Sequence, residues 1–286
     1  MRAKLHWSPK LRRRRQAPAS PQGTGGAAIL PRRTKLLRGG VISTTRKIGK
    51  IRYYRFNGRK DVMRFKRGVA RLYRAFSRWH FAHEPLPEKV IGIGMPHSSM
   101  WDGWFNVMIF WHEGRNMKFL IKKSLLDKPV LGSIIRWAGG IPVDRSHPNG
   151  LVGSIVEEAE ADPQFTLVLA PEGTRKNVPY LKSGFYRIAL ETRIPLVLGY
   201  VDKENKTYGW WKHMYVSGDI EADMDILRDF YSEKVGVKNN KTIVPRLRAE
   251  DDPAAREHLL SNVDLAATRA YAVRMNRETG GVGITE

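Results

Sequence analysis

The chain has 286 residues, 42% of them apolar, a formal net charge of +22 and no cysteine. That length and apolar fraction suit one catalytic domain with tails. The missing cysteine excludes disulfide frameworks, thiolate zinc sites and a cysteine nucleophile.

The charge is unevenly placed. Residues 1–62 hold 18 Lys and Arg against the one acid Asp61, so +17 of the total lies there. Such an arm attracts polyanions, anionic lipid and nucleic acid alike. Residues 1–45 are rich in Arg, Pro, Gly, Ser and Thr, a composition that predicts disorder. Residues 46–61 are too basic for a core and are expected to be irregular, which makes 1–61 a basic arm. From residue 62 the pattern changes. Val62, Phe65, Val69, Leu72, Phe76 and Trp79 recur at the step of one helical face. Arg64, Lys66, Arg67, Arg71, Arg74 and Arg78 occupy the other faces. The spacing predicts a cationic amphipathic helix over 62–82. It suits a helix lying in a lipid interface and a helix packed on its own domain.

Strands and helices then alternate. Val90–Met95 reads as a buried strand, and Met117–Ile121, Thr166–Ala170 and Pro195–Val201 as further strands. Residues 99–112, 130–137, 150–161, 183–192 and 223–235 read as helices, the second ended by Gly139-Gly140. This order predicts an α/β fold, a largely parallel central sheet flanked by helices, over residues 62–235. Residues 236–286 form a C-terminal extension without an assigned role, in which Asp252-Pro253 marks a helix start. The most apolar stretch, Trp104 to Trp111, is short, so no spanning helix is expected.

Four clusters carry chemistry. Pro96-His97-Ser98-Ser99-Met100-Trp101-Asp102 follows the first of these strands. Ser99 and Asp102 have capping-box spacing, so a helix starts there and His97 lies just outside it. On a continuous helix, residues five apart diverge by about 140°, so the break at Ser99 lets Asp102 turn toward His97. A histidine held by a carboxylate is the unit that takes a proton from an alcohol, and a satisfied structural histidine has the same spacing. Pro171-Glu172-Gly173-Thr174-Arg175 ends another strand, where open α/β sheets bind ligands. Gly173 permits close backbone approach, Thr174 offers a hydroxyl and Arg175 a two-pronged phosphate grip. Gly140 to Ser146, with Lys123 upstream, adds Asp144 and Arg145, which equally suit a surface ion pair. Lys182-Ser183-Gly184 enters a helix whose N-terminus favours an anion. No G-x-S-x-G elbow accompanies Ser98 or Ser99.

Taken together, these clusters resemble the phospholipid/glycerol acyltransferase family, the group of 1-acylglycerol-3-phosphate acyltransferases. His97 to Asp102 matches its HxxxxD signature, and Lys123, Leu125, Pro129, Gly132, Gly140 and Arg145 its second block. Pro171–Arg175 is similar to its phosphate-binding block, and Ile194-Pro195 to its fourth. The likeness covers roughly residues 65–235. Pro96 stands where Asn is usual, Ala170 where Phe is, and Lys176 where Ser is. The resemblance implies transfer of a fatty acyl group from acyl-CoA or acyl carrier protein to the hydroxyl of a lysophosphatidate-like lipid, in phospholipid biosynthesis. It makes His97 the base and Asp102 its orienting partner. It assigns the acceptor phosphate to the Glu172, Gly173, Thr174 and Arg175 block with Arg145, Glu172 organising the loop. Lys123 and Lys182 are further candidates. No cofactor or metal is implied. An anionic membrane surface is the expected partner of the basic arm, and the cytoplasmic inner face of a membrane the expected location. The competing class is a nucleic-acid-binding protein acting through the arm, though no recognisable reading motif accompanies it.

Overall fold

The computed structural model describes residues 34–37, 41–48, 51–56, 60–143, 148–238 and 242–286. Within the arm, β1 (Thr34–Leu37), β2 (Val41–Ile48) and β3 (Ile51–Phe56) pair as an antiparallel sheet in that order. Irregular chain was the expectation for this stretch. Val41, Ile42, Thr44, Thr45, Ile48, Ile51, Tyr53 and Tyr54 are β-branched or aromatic and favour extended backbone whatever the surrounding charge. Residues 1–33 lie outside the described residues.

The helix α1 (Lys60–Phe76) stops six residues before the expected end. The Ser77 hydroxyl accepts the Trp79 N–H at 3.2 Å, turning the chain out of the helix. Residues His80–Ala82 become the strand β4 instead. Then follow β5 (Val90–Met95), α2 (Met100–His112), β6 (Lys118–Lys122), α3 (Lys123–Leu126), α4 (Pro129–Ala138) and β7 (Gly140–Val143). Next come α5 (Pro148–Ala161), β8 (Thr166–Leu169), α6 (Gly184–Thr192), β9 (Leu196–Asp202) and β10 (Thr207–Met214). The chain closes with α7 (Ile220–Tyr231), α8 (Pro253–Leu260) and α9 (Leu265–Thr279).

A seven-stranded sheet runs β4-β10-β9-β5-β8-β6-β7. The five strands from β9 to β7 are parallel; β10 is antiparallel to β9. Alternate side chains feed two cores, one per face. Ile91, Ile93, Leu167, Leu196 and Leu198 pack with Phe185, Met224 and Leu227 on one face. Val90, Val168 and Val197 pack with Phe105, Met108 and Trp210 on the other. Residues 236–286 are no appendage. Leu247, Ala249 and Leu259 join the first core. Asn276 both accepts the Tyr215 N–H at 2.8 Å and donates to its carbonyl at 3.0 Å, pinning α9 to the chain after β10.

The orientation of α1 was not readable from periodicity. It docks through Lys66 and Ala70, which are buried, and leaves Phe65, Leu72 and Phe76 exposed at 63%, 62% and 82%. Lys66 is accommodated because its Nζ donates to the Trp137 carbonyl at 3.1 Å and sits over the Trp111 and Trp137 rings. Burial lowers its pKa to about 8.

One buried acid gives the fold a pH dependence. Asp223 accepts from Tyr186 Oη at 2.6 Å, Ser217 N at 2.8 Å and Ser217 Oγ at 3.0 Å. Burial nevertheless pushes its carboxyl up from 3.8 to about 6, those bonds opposing. The native state therefore holds this proton more tightly than the unfolded chain. The stability it contributes is complete below about pH 4 and lost as pH rises through about 6. Asp223→Asn keeps an acceptor for Tyr186 and Ser217 N and removes the titration. Denaturant melts should show the variant gaining on the wild type by on the order of 2–3 kcal/mol between pH 4 and pH 8. An equal difference at both pH values would overturn this account.

Candidate active site

The site lies at the carboxyl ends of β5 and β8, adjacent parallel strands whose following loops meet. After β5 the chain passes Pro96 and His97 and starts α2 with Ser99 as N-cap. The Ser99 hydroxyl accepts the Trp101 N–H at 3.2 Å, and Asp102 returns its carboxylate to the cap, completing a capping box. Asp102 Oδ2 accepts the Ser98 N–H at 2.6 Å and the Ser99 N–H at 2.7 Å. The same oxygen lies 3.3 Å from His97 Nδ1. Asp102 is 5% exposed, while the His97 side chain keeps 25% of its surface open. A buried acceptor at Nδ1 holds the imidazole with its proton there, so Nε2 is the proton-accepting nitrogen.

Glu172 meets the same loop from β8. It is 1% exposed, and its Oε2 accepts the His97 N–H at 2.9 Å. Its carboxylate therefore faces the histidine backbone, and a carboxylate in that place repels a phosphate rather than binding it. Tyr231 from α7 lies fully buried beneath, its hydroxyl 2.8 Å from the Gly199 carbonyl and 3.1 Å from that of Ile93. Burial, and then the Glu172 charge, push the Tyr231 phenol well above its usual pKa.

The rest of the block turns outward. Gly173 has φ +64°, the left-handed region that favours glycine, and its N–H donates to the Ala170 carbonyl at 2.9 Å. The Lys182 N–H donates to the Pro171 carbonyl at 2.8 Å, which lays the Lys182 side chain beside Gly173. Thr174 Oγ1 accepts the Lys176 N–H at 3.3 Å. Arg175 and Lys182 are exposed and form no ion pair among the described residues. The structure thus gathers His97, Asp102 and Glu172 into one cluster, with Gly173, Thr174, Arg175 and Lys182 as its cationic flank. Arg145 lies outside the described residues, as does the side chain of Lys123. One further participant, Lys238, had no local signal. Ser98 Oγ accepts the Lys238 N–H at 3.0 Å, a contact across 140 residues of chain.

Parts of the chain are similar to known proteins. Residues 80–198 match the model of a family described as Acyltransferase. A 1-acyl-sn-glycerol-3-phosphate acyltransferase of Cocos nucifera is 35% identical over 95 residues, 32% of this chain and 31% of that protein. The enzyme of the same name from Limnanthes alba is 30% identical over 107 residues, 35% of this chain and 37% of its own. The chain thus spans about a third of the length of these curated relatives. Among solved structures, the 1-acyl-sn-glycerophosphate acyltransferase PlsC of Thermotoga maritima is similar at 19% identity and a TM-score of 0.35, over 49% of this chain and 57% of that one. Over residues 80–198, less than half of its length, the chain is similar to the acyltransferase family.

Proposed function

We propose that the protein transfers a fatty acyl group from a thioester of coenzyme A or acyl carrier protein to the free hydroxyl of lysophosphatidate or a related lyso-lipid. The observation that carries this reading is His97, braced by buried Asp102 and a quarter open, tied through Glu172 to the loop that carries the exposed Arg175 and adjoins Lys182. His97 takes the hydroxyl proton as the oxygen attacks the thioester carbonyl. The C–O bond forms, the C–S bond breaks, and the thiolate leaves with the proton that His97 held. Base catalysis of this kind contributes ~10²–10⁴-fold. Arg175 and Lys182 hold the acceptor phosphate. The test is transfer of labelled acyl groups from each donor to a lysophosphatidate-led panel of acceptors. Labelled phosphatidate is the expected product; no product with any pair, from folded protein, would sink the reading.

The exposed row on α1 supports action at a membrane surface, on its anionic inner face. Among the described residues no helix is long and apolar enough to cross a membrane. Phe65, Leu72 and Phe76 form an outward stripe flanked by the exposed Arg64 and Arg71. Tyr73 meets Trp104 edge-on at 5.8 Å, joining the stripe to Trp101 and Trp104, exposed at 60% and 40% beside the HxxxxD loop. Aromatic residues ringed by arginine suit the lipid interface. Phe65→Ser with Phe76→Ser should weaken binding to vesicles of anionic phospholipid at least about tenfold, since each buried Phe is worth ~1.5–3 kcal/mol. Vesicle flotation reads this directly. Unchanged binding would remove α1 from the membrane contact.

A further inference from the structure

The site has a second side, here called its second wall, built by residues beyond the matched family segment. After α7 the chain crosses the carboxyl end of β9, where the Lys203 N–H donates to the Val235 carbonyl at 3.0 Å. Three residues later the Lys238 N–H donates to Ser98 Oγ at 3.0 Å. The backbone of residue 238 is thereby fixed against the residue that follows His97. The Lys238 side chain is exposed and forms no ion pair among the described residues. Arg175 belongs to the loop after β8, and β8 and β9 flank β5 on opposite sides. His97 therefore stands between two cationic walls.

The wall beside β9 has its own chemistry. Lys234 Nζ lies 5.2 Å from the Tyr200 ring centre and 5.5 Å from that of Phe230. Trp211, 38% exposed, stacks on Phe230 at 5.0 Å with an interplanar angle of 7°. Tyr200 is the register partner of Met95, two residues before His97. This wall thus joins ammonium groups to aromatic faces, whereas Arg175 and Lys182 stand on a glycine turn. The transfer reaction brings together two anionic molecules, each carrying phosphate, with the histidine between them. Separate cationic walls let both bind at once.

We propose that Lys238, on the same segment as Lys234, binds the phosphate of the phosphopantetheine arm of the acyl donor and leaves the Arg175 wall to the acceptor. This inference rests on the acyl-transfer reading. Coenzyme A and acyl carrier protein share that arm; only coenzyme A adds an adenine, which suits the aromatic faces, and further phosphates.

Calorimetric titration of the full chain with coenzyme A and with holo-acyl carrier protein tests the site without turnover. Lys238→Ala should weaken binding of the donor that the wild type takes about fivefold or more, and Arg175→Ala should not. Loss with every donor that the wild type binds supports the shared arm; loss confined to coenzyme A, in protein that binds both, would put Lys238 on the nucleotide phosphates and overturn the assignment to the arm. In steady state the same variant should raise the donor KM and leave the acceptor KM within about twofold. Wild-type protein that binds neither donor, or donor binding and donor KM untouched by Lys238→Ala in a variant that melts normally, would overturn the proposal. The two readings fail differently. Protein that binds donor through Lys238 and acylates no acceptor sinks the proposed reaction alone. Protein that turns over with an unaffected donor KM sinks this inference alone.

Discussion

Replacing His97 with alanine is expected to lower kcat/KM for acyl transfer by at least ~10²-fold, within the ~10²–10⁴ range of a positioned base. The acceptor hydroxyl is a poor nucleophile until its proton is removed, and the imidazole is the base that the geometry places for it. The change is also a clean one. The His97 N–H that Glu172 holds survives in alanine, and a quarter of the side chain already faces solvent. Little stability should be lost, so a normal melting curve with collapsed turnover is the expected pair of results. Turnover within threefold of the wild type would remove His97 from the proton transfer and leave the cluster a structural cap.

The parts of this protein legible in its sequence are those set by neighbours in the chain. Val90–Met95 could be read to the residue because an apolar run between parallel partners buries both of its faces. The α2 cap was legible because Ser99 and Asp102 stand at the spacing that the box requires. Contacts between distant segments were not legible. Glu172 sits in a phosphate-loop pattern, yet its carboxylate is committed to an N–H 75 residues away. The strand β10 went unread because Lys212 and His213 interrupt its apolar alternation and its pairing shifts between Trp210 and His213. Most instructive is α1. Its apolar positions fall at helical spacing, and the usual inference is that this stripe faces the core. The domain instead buries the row through Lys66 and Ala70, because two indoles and a carbonyl receive the ammonium. Periodicity marked the amphipathic helix correctly and was silent on which partner took which face.

Asp102 serves two purposes through one oxygen, and two substitutions should separate them. Oδ2 accepts the Ser98 and Ser99 amides and also faces His97 Nδ1. Alanine removes the cap and the brace together, so it should lower stability by about 1 kcal/mol and also abolish the orientation of His97. Asparagine separates the two. Its carbonyl oxygen takes the place of Oδ2 and keeps both amides satisfied. Its NH₂ takes the place of Oδ1, which is buried and accepts no hydrogen bond among the described residues, so no further polar group is left unmet. What disappears is the negative charge that stabilises His97 once it holds the substrate proton. Asp102→Asn should therefore melt close to the wild type and yet lose roughly ~10²–10⁴-fold in kcat/KM, the scale on which neutralising such a carboxylate acts. Because the loss falls on the transition state, kcat should carry it and the donor and acceptor KM values should move little. Should asparagine retain most activity while alanine loses it, the carboxylate would be a helix cap that fixes the loop, and its charge would have no part in moving the proton.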